Sequence, residues 1–257
     1  MNFWQAILLG LVQGLTEFLP ISSSGHLFLI ENLFKINDGF INFEIALHLA
    51  TLFVVIVFFW PSIKKINKRV FFLLSVATLP LVLLTLLIKQ QFNTATLSTQ
   101  HLAYFFLFTG IINYFSFLKL KKNQELAATE KLEDISFLTA LKIGLFQVLA
   151  ILPGVSRSGL TLYAAFRNKL SAKNAFQFSF LLSIPVIIGS AIFDLLQTNG
   201  QSFGQLNWGL TLPAMLVAAI SAWFSLKLLQ KIIVHNHFLL FAFYCLFLGM
   251  TLLIVNF

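Results

Sequence analysis

The stretch that decides the fold is GLVQGLTEFLPISSSGHL, residues 10–27, in a very apolar chain. It starts with the pattern of an apolar helix, is interrupted by Pro20 and three serines, and then continues as a second helical pattern. Proline ends a helix and serine is a favoured N-cap, so we expect one helix to end before Pro20 and another to begin at the serines. Glu17 and His26 flank this break. Ionisable side chains in apolar surroundings are candidates for function.

The composition indicates an integral membrane protein. Of the 257 residues, 58% are hydrophobic and 10% are charged, whereas about 25% are charged in an average soluble domain. A membrane-spanning helix needs roughly 20 apolar residues, and six segments meet this requirement. The predicted spans are about 40–60, 69–89, 102–118, 175–196, 208–226 and 238–256.

Other features of the sequence argue against several classes of protein. The first residues lack the basic segment and the small-residue cleavage site of a signal peptide, so we expect them to stay in the mature protein. Cys245 is the single cysteine, so we expect no disulfide framework and no Cys-rich metal site. The net charge of +8 does not predict a nucleic-acid partner, because the placement of Lys and Arg matters more in a membrane protein than their total.

Two further segments, about 3–34 and 137–168, are apolar but broken, at LPISSSGH and at LPGVSRSG. Non-helical backbone at membrane depth is tolerated only where it is buried in protein or lines a wet cavity. We therefore predict two re-entrant helix pairs beside the six spans, in an all-α polytopic membrane protein.

The basic residues predict how the spans are oriented. If the turn at 61–68 is cytoplasmic, 14 of the 17 Lys and Arg residues fall on that side, Lys35 and Lys89 fall outside, and Arg157 lies in the second break. Cytoplasmic loops carry the excess of Lys and Arg, so both termini are predicted to face the exterior. The two re-entrant pairs then enter the membrane from opposite faces.

The two broken segments match each other. Shifted by 134 residues, the first stretch aligns with GLFQVLAILPGVSRSGLT, residues 144–161, and the matches include Gly10 with Gly144 and Gln13 with Gln147. Each re-entrant pair is followed by three spans, an odd number, so the second copy must be inverted. Inverted repeats commonly place a site near the midplane, where their broken helices meet. We predict one membrane domain, 1–257, divided into repeat 1 at about 1–118, a cytoplasmic connector at about 119–136 and repeat 2 at about 137–257.

The predicted site combines groups from both breaks. Gln13 and Glu17 share a helix face, and the helix after each break points backbone N–H groups at an anion. The second break adds Arg157, whose guanidinium suits phosphate oxygens. If the breaks meet, the site binds phosphate or carries out phosphoryl chemistry. The alternatives are that Glu17 makes a structural hydrogen bond between helices, that His26 is a structural residue, and that Arg157 pairs structurally with Glu17. Glu44 and His48, four residues apart on one span, either support the site or simply pair.

GLVQGLTEFLPISSSGHL and LPGVSRSGLT closely resemble the two signature motifs of the undecaprenyl-diphosphatases of the bacitracin-resistance type. The resemblance implies six spanning helices plus two re-entrant pairs in an inverted repeat. It also implies hydrolysis of undecaprenyl diphosphate to undecaprenyl phosphate, which recycles the lipid carrier for cell-wall polymers and confers bacitracin resistance. The expected location is the bacterial inner (plasma) membrane, with the active site opening to the outer face.

Carried onto matching positions, the resemblance implies a catalytic group and a set of binding residues. The catalytic group is Glu17, Ser23, His26 and Arg157. The substrate-binding set is Gln13, Ser22, Ser24, Gly25, Ser156, Ser158, Gly159 and Thr161. A divalent cation, Mg²⁺ or Ca²⁺, is expected, and Glu17 either ligates it or orients His26. Gln13 stands where the family has Glu or Gln, and as Gln it brings one formal charge fewer to that cation.

Two questions stay open at this point. The nucleophile is Ser23 with His26 as its base, or His26 itself, or a water that His26 activates. The alternative function is a transporter or flippase for an anionic prenyl lipid or a small anion, because broken inverted repeats are also transporter architecture. The expected partners are the lipid diphosphate and the bilayer, with no nucleic acid and with a homodimer as an option.

Overall fold

The computed structural model describes residues 1–36, 40–88, 98–124, 131–197 and 206–255. The α helices in these ranges are α1 Phe3–Thr16, α2 Ser23–Phe34, α3 Phe40–Phe58, α4 Trp60–Ile63, α5 Lys68–Ile88, α6 Thr99–Gln124, α7 Phe137–Val148, α8 Arg157–Arg167, α9 Ala172–Gln197, α10 Trp208–Val234 and α11 Leu239–Val255. No strand occurs within the described ranges, so the all-α prediction is confirmed for them.

Within the ranges that the structure describes, four helices are long and apolar enough to cross a membrane. They cover Lys68–Leu87, Thr99–Lys122, Ala172–Phe193 and Trp208–Val234. The apolar parts of α3 and α11 are shorter, so a polytopic membrane protein is confirmed while the count of six spans stays a prediction. Residues 89 and 256 at the ends of two predicted spans, and residues 125–130 of the predicted connector, lie outside the described ranges.

Large apolar side chains cover the outer surface of the helix bundle. Phe71, Leu216 and Phe247 are each more than 60% exposed, which suits helices whose surroundings are lipid. The largest core cluster instead consists mainly of buried side chains from α3, α5 and α8–α10, with Phe166 and Phe180 among those fully buried. Phe18 and Ile21 of the first break also belong to this core.

Serine caps organise both breaks. Ser22 is the N-cap of α2 and its Oγ accepts a 3.3 Å hydrogen bond from the Gly25 N–H. Ser156 is the N-cap of α8 and its Oγ accepts a 3.1 Å bond from the Gly159 N–H. The prediction that serines start a new helix after each break is therefore confirmed.

The first helix of each predicted repeat packs against the other half of the chain. Helix α1 packs on α10 and helix α7 packs on α5. A Cβ on Gly10 would lie 2.3 Å from the Ala214 carbonyl oxygen, and one on Gly144 would lie 2.4 Å from the Ala77 carbonyl oxygen. The matched glycines thus allow two equivalent close helix crossings. The division into repeats and their inversion in the membrane stay predictions.

Candidate active site

The two helix breaks lie against each other, on one face of α6. Asn113 of α6 donates a 2.6 Å hydrogen bond from Nδ2 to the carbonyl of Pro20 in the first break. Thr109, one turn earlier, donates a 2.9 Å bond to the carbonyl of Gly154 in the second break. The two breaks also bond to each other, because the Ser158 hydroxyl donates to the Leu19 carbonyl at 3.2 Å. The two breaks therefore meet, which is the condition on which the predicted phosphate site depends.

Glu17 and Arg157 form an ion pair across this junction. The Arg157 Nη2 donates to Oε1 of Glu17 at 3.1 Å, and the side chains are 15% and 5% exposed. Glu17 follows the last residue of α1 and Arg157 is the first residue of α8. The two breaks therefore place their charged side chains in contact, although 140 residues separate them. The ion pair between Arg157 and Glu17, given above as an alternative to a role in binding phosphate, is therefore present in the structure.

The second carboxylate oxygen of Glu17 has three neighbours. The Ser23 hydroxyl donates to Oε2 at 2.6 Å, and the Gln13 side-chain amide donates to it at 3.2 Å. The Nε2 of His48 lies 3.5 Å from the same oxygen. Hydrogen bonds to an ionised group are shorter and stronger than neutral ones, and the Ser23 contact has the length expected of such a bond. Glu17 is therefore the centre of the polar cluster.

His48 reaches the cluster from α3. Its Nδ1 lies 2.9 Å from the Glu44 carbonyl oxygen, and a carbonyl only accepts, so Nδ1 carries a hydrogen. This bond turns Nε2 toward Glu17. Of the two options left open for His48, the structure supports a place in the site. His48 also contacts Glu44, through the hydrogen bond to its backbone carbonyl.

A cavity of about 370 Å³ opens beside the cluster. The predicted site residues on its wall are Glu17, Ser22, Ser23, Ser24, Ser156 and Arg157. His48 also lies on the wall, with apolar side chains that include Leu81 and Val186. Gln13 lies behind Glu17 and is fully buried.

His26 does not lie on the cavity wall. Its Nδ1 lies 2.6 Å from the Ser22 carbonyl oxygen and its Nε2 lies 2.6 Å from the Tyr244 hydroxyl. The ring stacks on Tyr244 and meets the edge of Phe106. Both ring nitrogens are thus engaged away from Glu17, so the structure does not bring His26 to the oxygen of Ser23.

The Ser22 backbone adopts a conformation that is uncommon outside glycine. Its φ is 69° and its ψ is 99°, and such a conformation persists only where the surroundings hold it. The carbonyl of Ser22 accepts from the His26 backbone N–H at 3.3 Å as well as from the His26 ring. His26 therefore stabilises the turn that presents Ser23 to Glu17.

Four other predicted binding residues have packing or positioning contacts. A Cβ on Gly25 would lie 2.7 Å from the Phe106 ring, and one on Gly159 would lie 3.2 Å from the Asn113 side-chain oxygen. Thr161 is fully buried and its hydroxyl donates to the Arg157 carbonyl at 3.0 Å. Together with Ser158, these residues hold the two breaks and the start of α8 in place.

The cluster has the groups that bind phosphate. The first N–H groups of a helix have no acceptor within the helix and favour an anion, and here α2 and α8 both begin beside the cavity. Arg157 has five N–H donors, and its bond to Glu17 uses Nη2. The remaining donors are available for oxygens of a bound anion.

In the part of the chain that the structure describes, the side chains alone do not form a metal site. Within the described ranges no group of three or more His, Cys, Asp or Glu side chains is placed to hold a metal ion, and the carboxylate on the described cavity wall is that of Glu17. Mg²⁺ is usually bound through one or two carboxylates together with substrate phosphates. The donors therefore fit a cation that is bound jointly by Glu17 and a phosphate ligand.

An apolar helical bundle with a buried carboxylate, hydroxyl and guanidinium cluster defines a polytopic membrane protein equipped to bind phosphate groups. The chain belongs to the family described as bacitracin resistance protein BacA, whose family model matches residues 6–251. This membership confirms the resemblance of the two motifs.

Several curated relatives are similar over their full length. The undecaprenyl-diphosphatase of Carboxydothermus hydrogenoformans is 37% identical over 267 aligned positions, which cover 100% of this chain and 98% of the relative. The proteins of the same name from Thermosipho africanus and Halothermothrix orenii are 36% and 33% identical, covering 97% and 99% of this chain and 99% and 98% of the relatives.

Proposed function

We propose that this protein is an undecaprenyl-diphosphatase, which hydrolyses undecaprenyl diphosphate to undecaprenyl phosphate and inorganic phosphate. The observation that carries the proposal is the contact of Ser23 and Arg157 with the two oxygens of Glu17, beside a cavity in an apolar helical bundle. The full-length relatives of the same name support the substrate and the reaction. The product is the lipid carrier that cell-wall synthesis uses again, which agrees with a family named for bacitracin resistance.

Arg157 and the two helix N-termini bind the diphosphate. The guanidinium donates to oxygens of the terminal phosphate with the N–H groups that do not contact Glu17, and the first turns of α2 and α8 add backbone N–H donors. These donors are fixed before the substrate arrives. They stabilise the charge that develops on the transferred phosphoryl group, the effect that contributes most to phosphoryl transfer.

Ser23 is the proposed nucleophile. Its hydroxyl already donates to Oε2 of Glu17 at 2.6 Å, so the carboxylate accepts the proton as the serine oxygen attacks the terminal phosphorus. The bond between that phosphorus and the bridging oxygen breaks, and undecaprenyl phosphate leaves with the electron pair. Water then attacks the phosphorus of the phosphoserine, and the bond between that phosphorus and the Ser23 oxygen breaks. Glu17 returns its proton to the Ser23 oxygen, and inorganic phosphate leaves with the oxygen and protons of the water. The other nucleophiles, His26 and a water that it activates, are less favoured because both ring nitrogens of His26 are engaged elsewhere.

A divalent cation, Mg²⁺ or Ca²⁺, completes the proposal. Glu17 is the residue that would hold it, together with oxygens of the substrate. When bound, the cation neutralises negative charge on the diphosphate.

The proposed orientation places the cavity toward the outer face of the plasma membrane, with both termini outside. Its support is the distribution of Lys and Arg along the sequence. The proposal also includes two re-entrant pairs that are inverted with respect to each other. The packing of α1 on α10 and of α7 on α5 agrees with this, because each contact joins a helix of one half of the chain to a helix of the other half. The homodimer also stays a prediction, because contacts within one chain do not test it.

The test is a product assay on the purified full chain with undecaprenyl diphosphate and Mg²⁺. We expect inorganic phosphate and undecaprenyl phosphate in equal amounts from the wild type. Glu17→Gln should release neither, whereas the control Glu133→Gln, far along the chain and 42% exposed, should match the wild type. A wild type that binds the lipid and moves it across a vesicle bilayer without releasing phosphate would favour the transporter instead.

A further inference from the structure

Helices α2 and α8 follow equivalent breaks but are packed very differently. Nine of the eleven residues of α8 are buried, whereas Gly25 and Leu27 are the buried residues among the twelve of α2. Both helices begin at a serine cap on the wall of the candidate cavity. In the part of the chain that the structure describes, protein therefore surrounds α8 but leaves much of α2 uncovered.

A cavity of about 680 Å³ lies along the uncovered side of α2. Residues 28–35, the start of α6 and the end of α11 form its wall. We call this cavity the α2 groove. No described residue lines both the α2 groove and the candidate cavity. Its volume lies in the range of roughly 300–1,000 Å³ that is usual for ligand sites, so the groove is large enough to be a separate site.

The α2 groove is polar where α2 ends and α6 begins. Lys35, Asn32, Ser98 and Thr99 line it there. Among the described residues no carboxylate forms a salt bridge with the Lys35 ammonium. An ammonium, an amide and two hydroxyls all have hydrogens to donate to phosphate oxygens. This end of the groove therefore suits a phosphate group.

The part of the groove nearer the helix breaks is apolar. Phe28 and Leu29 of α2 and Leu252 of α11 line it, and they belong to one apolar cluster with Leu102 and Phe106 of α6. From residue 28 to residue 35 the chain rises roughly 10 Å at 1.5 Å per residue. This is a large part of one half of the roughly 30 Å hydrocarbon layer. The groove therefore places an apolar wall beside a polar end, as a membrane lipid requires.

Lys35 occupies a backbone position that favours glycine. Its φ is 53° and its ψ is 48°, the left-handed conformation in which many helices end. Glycine adopts this conformation without strain, whereas a side chain makes it unfavourable. Strained backbone positions occur mainly where a side chain has a function, so the strain at Lys35 agrees with a role for its ammonium.

We propose that the α2 groove binds one anionic glycerophospholipid of the bilayer, with its phosphate at Lys35 and an acyl chain against Phe28 and Leu252. The lipid supplies to α2 the packing that protein supplies to α8. The apolar cluster behind the acyl chain includes Phe106, which contacts the ring of His26. The bound lipid therefore stabilises the helix that begins with Ser23, and it does so without entering the candidate cavity.

Lys35→Gly separates lipid binding from folding. Glycine suits the left-handed backbone, so without added lipid the variant should melt in detergent at or above the wild-type temperature. The variant also loses the ammonium. Its complex with phosphatidylglycerol should therefore be about fivefold weaker than that of the wild type, as expected for one lysine near an anionic lipid.

Native mass spectrometry of the delipidated full chain measures this binding. The probes are phosphatidylglycerol, which has a net negative charge, and phosphatidylcholine, whose choline cation compensates the phosphate. We expect the wild type to retain one phosphatidylglycerol in preference to phosphatidylcholine. Lys142→Gln, which removes the charge of an exposed lysine on α7, is the control and should match the wild type. Equal retention of phosphatidylglycerol by Lys35→Gly and the wild type would overturn the inference, and so would equal retention of the two lipids by the wild type.

Photolabelling tests the apolar part of the groove. Leu33 lines the groove and is 61% exposed, and Leu240, outside the groove on α11, is exposed to the same extent, so Leu33→Trp fills the groove and Leu240→Trp is the matched control. Phosphatidylglycerol carrying a diazirine in an acyl chain is photolysed with each protein, and the labelled peptides are identified by mass spectrometry. We expect labels on residues 28–35 in the wild type and the control, and about tenfold less in Leu33→Trp, the scale of a lost fit in an apolar pocket.

Two results of the photolabelling would overturn the inference. The first is equal labelling of residues 28–35 in Leu33→Trp and Leu240→Trp. The second is a label that excess undecaprenyl phosphate removes and excess phosphatidylglycerol does not, which would assign the groove to a prenyl lipid. Neither experiment requires turnover, so both apply whether or not the protein releases phosphate.

Discussion

The Oγ of Ser23 lies 2.6 Å from Oε2 of Glu17, so a serine hydroxyl at the start of α2 donates directly to a carboxylate at the end of α1. Six residues separate the pair, and the break between the two helices is what brings them together. The same carboxylate accepts from Arg157 through its other oxygen. One side chain thus links the candidate nucleophile with the candidate phosphate-binding group.

Replacing Arg157 with lysine should abolish most of the activity. Lysine keeps the charge but loses the planar set of donors that contacts Glu17 and phosphate oxygens at the same time. We expect kcat/KM to fall roughly 10²- to 10³-fold, as for loss of a donor to transition-state charge. Arg167→Lys is the control, because Arg167 is on the same helix and contacts the Tyr163 hydroxyl. Equal activity of the two variants would contradict the role of Arg157.

Replacing His48 with glutamine should reduce activity, because Glu17 would then be held less firmly in position. His48 lies 3.5 Å from Oε2 of Glu17, and small displacements of a catalytic group cost up to about 10²-fold. We expect kcat to fall roughly 10- to 100-fold with KM within twofold. The matched control is His235→Gln, because the Nδ1 of His235 also lies near a backbone carbonyl four residues earlier, that of Lys231. If His48→Gln retained full kcat, the ring would have no part in the reaction.

The contact between Tyr244 and His26 should matter for rate even though neither residue lines the cavity. Tyr244→Phe keeps the stacked ring and removes the hydroxyl 2.6 Å from the His26 Nε2. Loss of one hydrogen bond is worth about 1 kcal/mol, so we expect kcat to fall about fivefold as the Ser22 turn loosens. Tyr114→Phe, at an exposed tyrosine of α6, should have no effect. A Tyr244→Phe variant with wild-type kcat and KM would show that the turn does not depend on this bond.

The close crossing of α7 and α5 should make Gly144 sensitive to a single methyl group. A Cβ there would lie 2.4 Å from the Ala77 carbonyl oxygen, so Gly144→Ala forces the helices apart. Overpacking of this kind costs about 1–3 kcal/mol, and we expect a lower melting temperature in detergent. The control is Gly189→Ala, whose added Cβ meets no atom within 4 Å. A melting temperature equal to that of the control would show that the crossing is looser than in the structure.

The helix breaks could be predicted from the sequence because their causes are local. Pro20 and the serines around it end one helix and cap the next, and both serine caps occur where the pattern placed them. The pairing of Glu17 with Arg157 was also within reach, because an isolated charge in apolar surroundings needs a partner. The internal repeat aligns the two breaks in the sequence, so Glu17 of the first break and Arg157 of the second could be considered as parts of one site.

The histidines show what the sequence could not supply. His26 is close to Glu17 along the chain, yet its ring contacts Tyr244, 218 residues away. His48 is far from the first break in sequence, yet it lies beside Glu17. Which ring faces the site depends on how α3 and α11 pack on the breaks, and one sequence carries no direct signal of that packing.

Two helices extend beyond the apolar spans predicted from hydropathy. The span predicted at 208–226 lies within α10, which continues to Val234 through Lys227 and Lys231. The span predicted at 102–118 lies within α6, which extends to Gln124. Apolar runs measure the part of a helix that suits hydrocarbon, whereas the backbone hydrogen bonds continue into charged turns where the side chains favour helix.

The central claim is that Ser23 attacks the terminal phosphate, and trapping the phosphorylated residue tests it most directly. Undecaprenyl diphosphate labelled on its terminal phosphate is mixed with the wild type and quenched within milliseconds, and the labelled peptide is sequenced by mass spectrometry. We predict acid-stable phosphate on Ser23, and neither label nor phosphate release in Ser23→Ala, while Ser24→Ala still becomes labelled. Acid-labile phosphate on His26, or phosphate release by Ser23→Ala at the wild-type rate, would contradict the account.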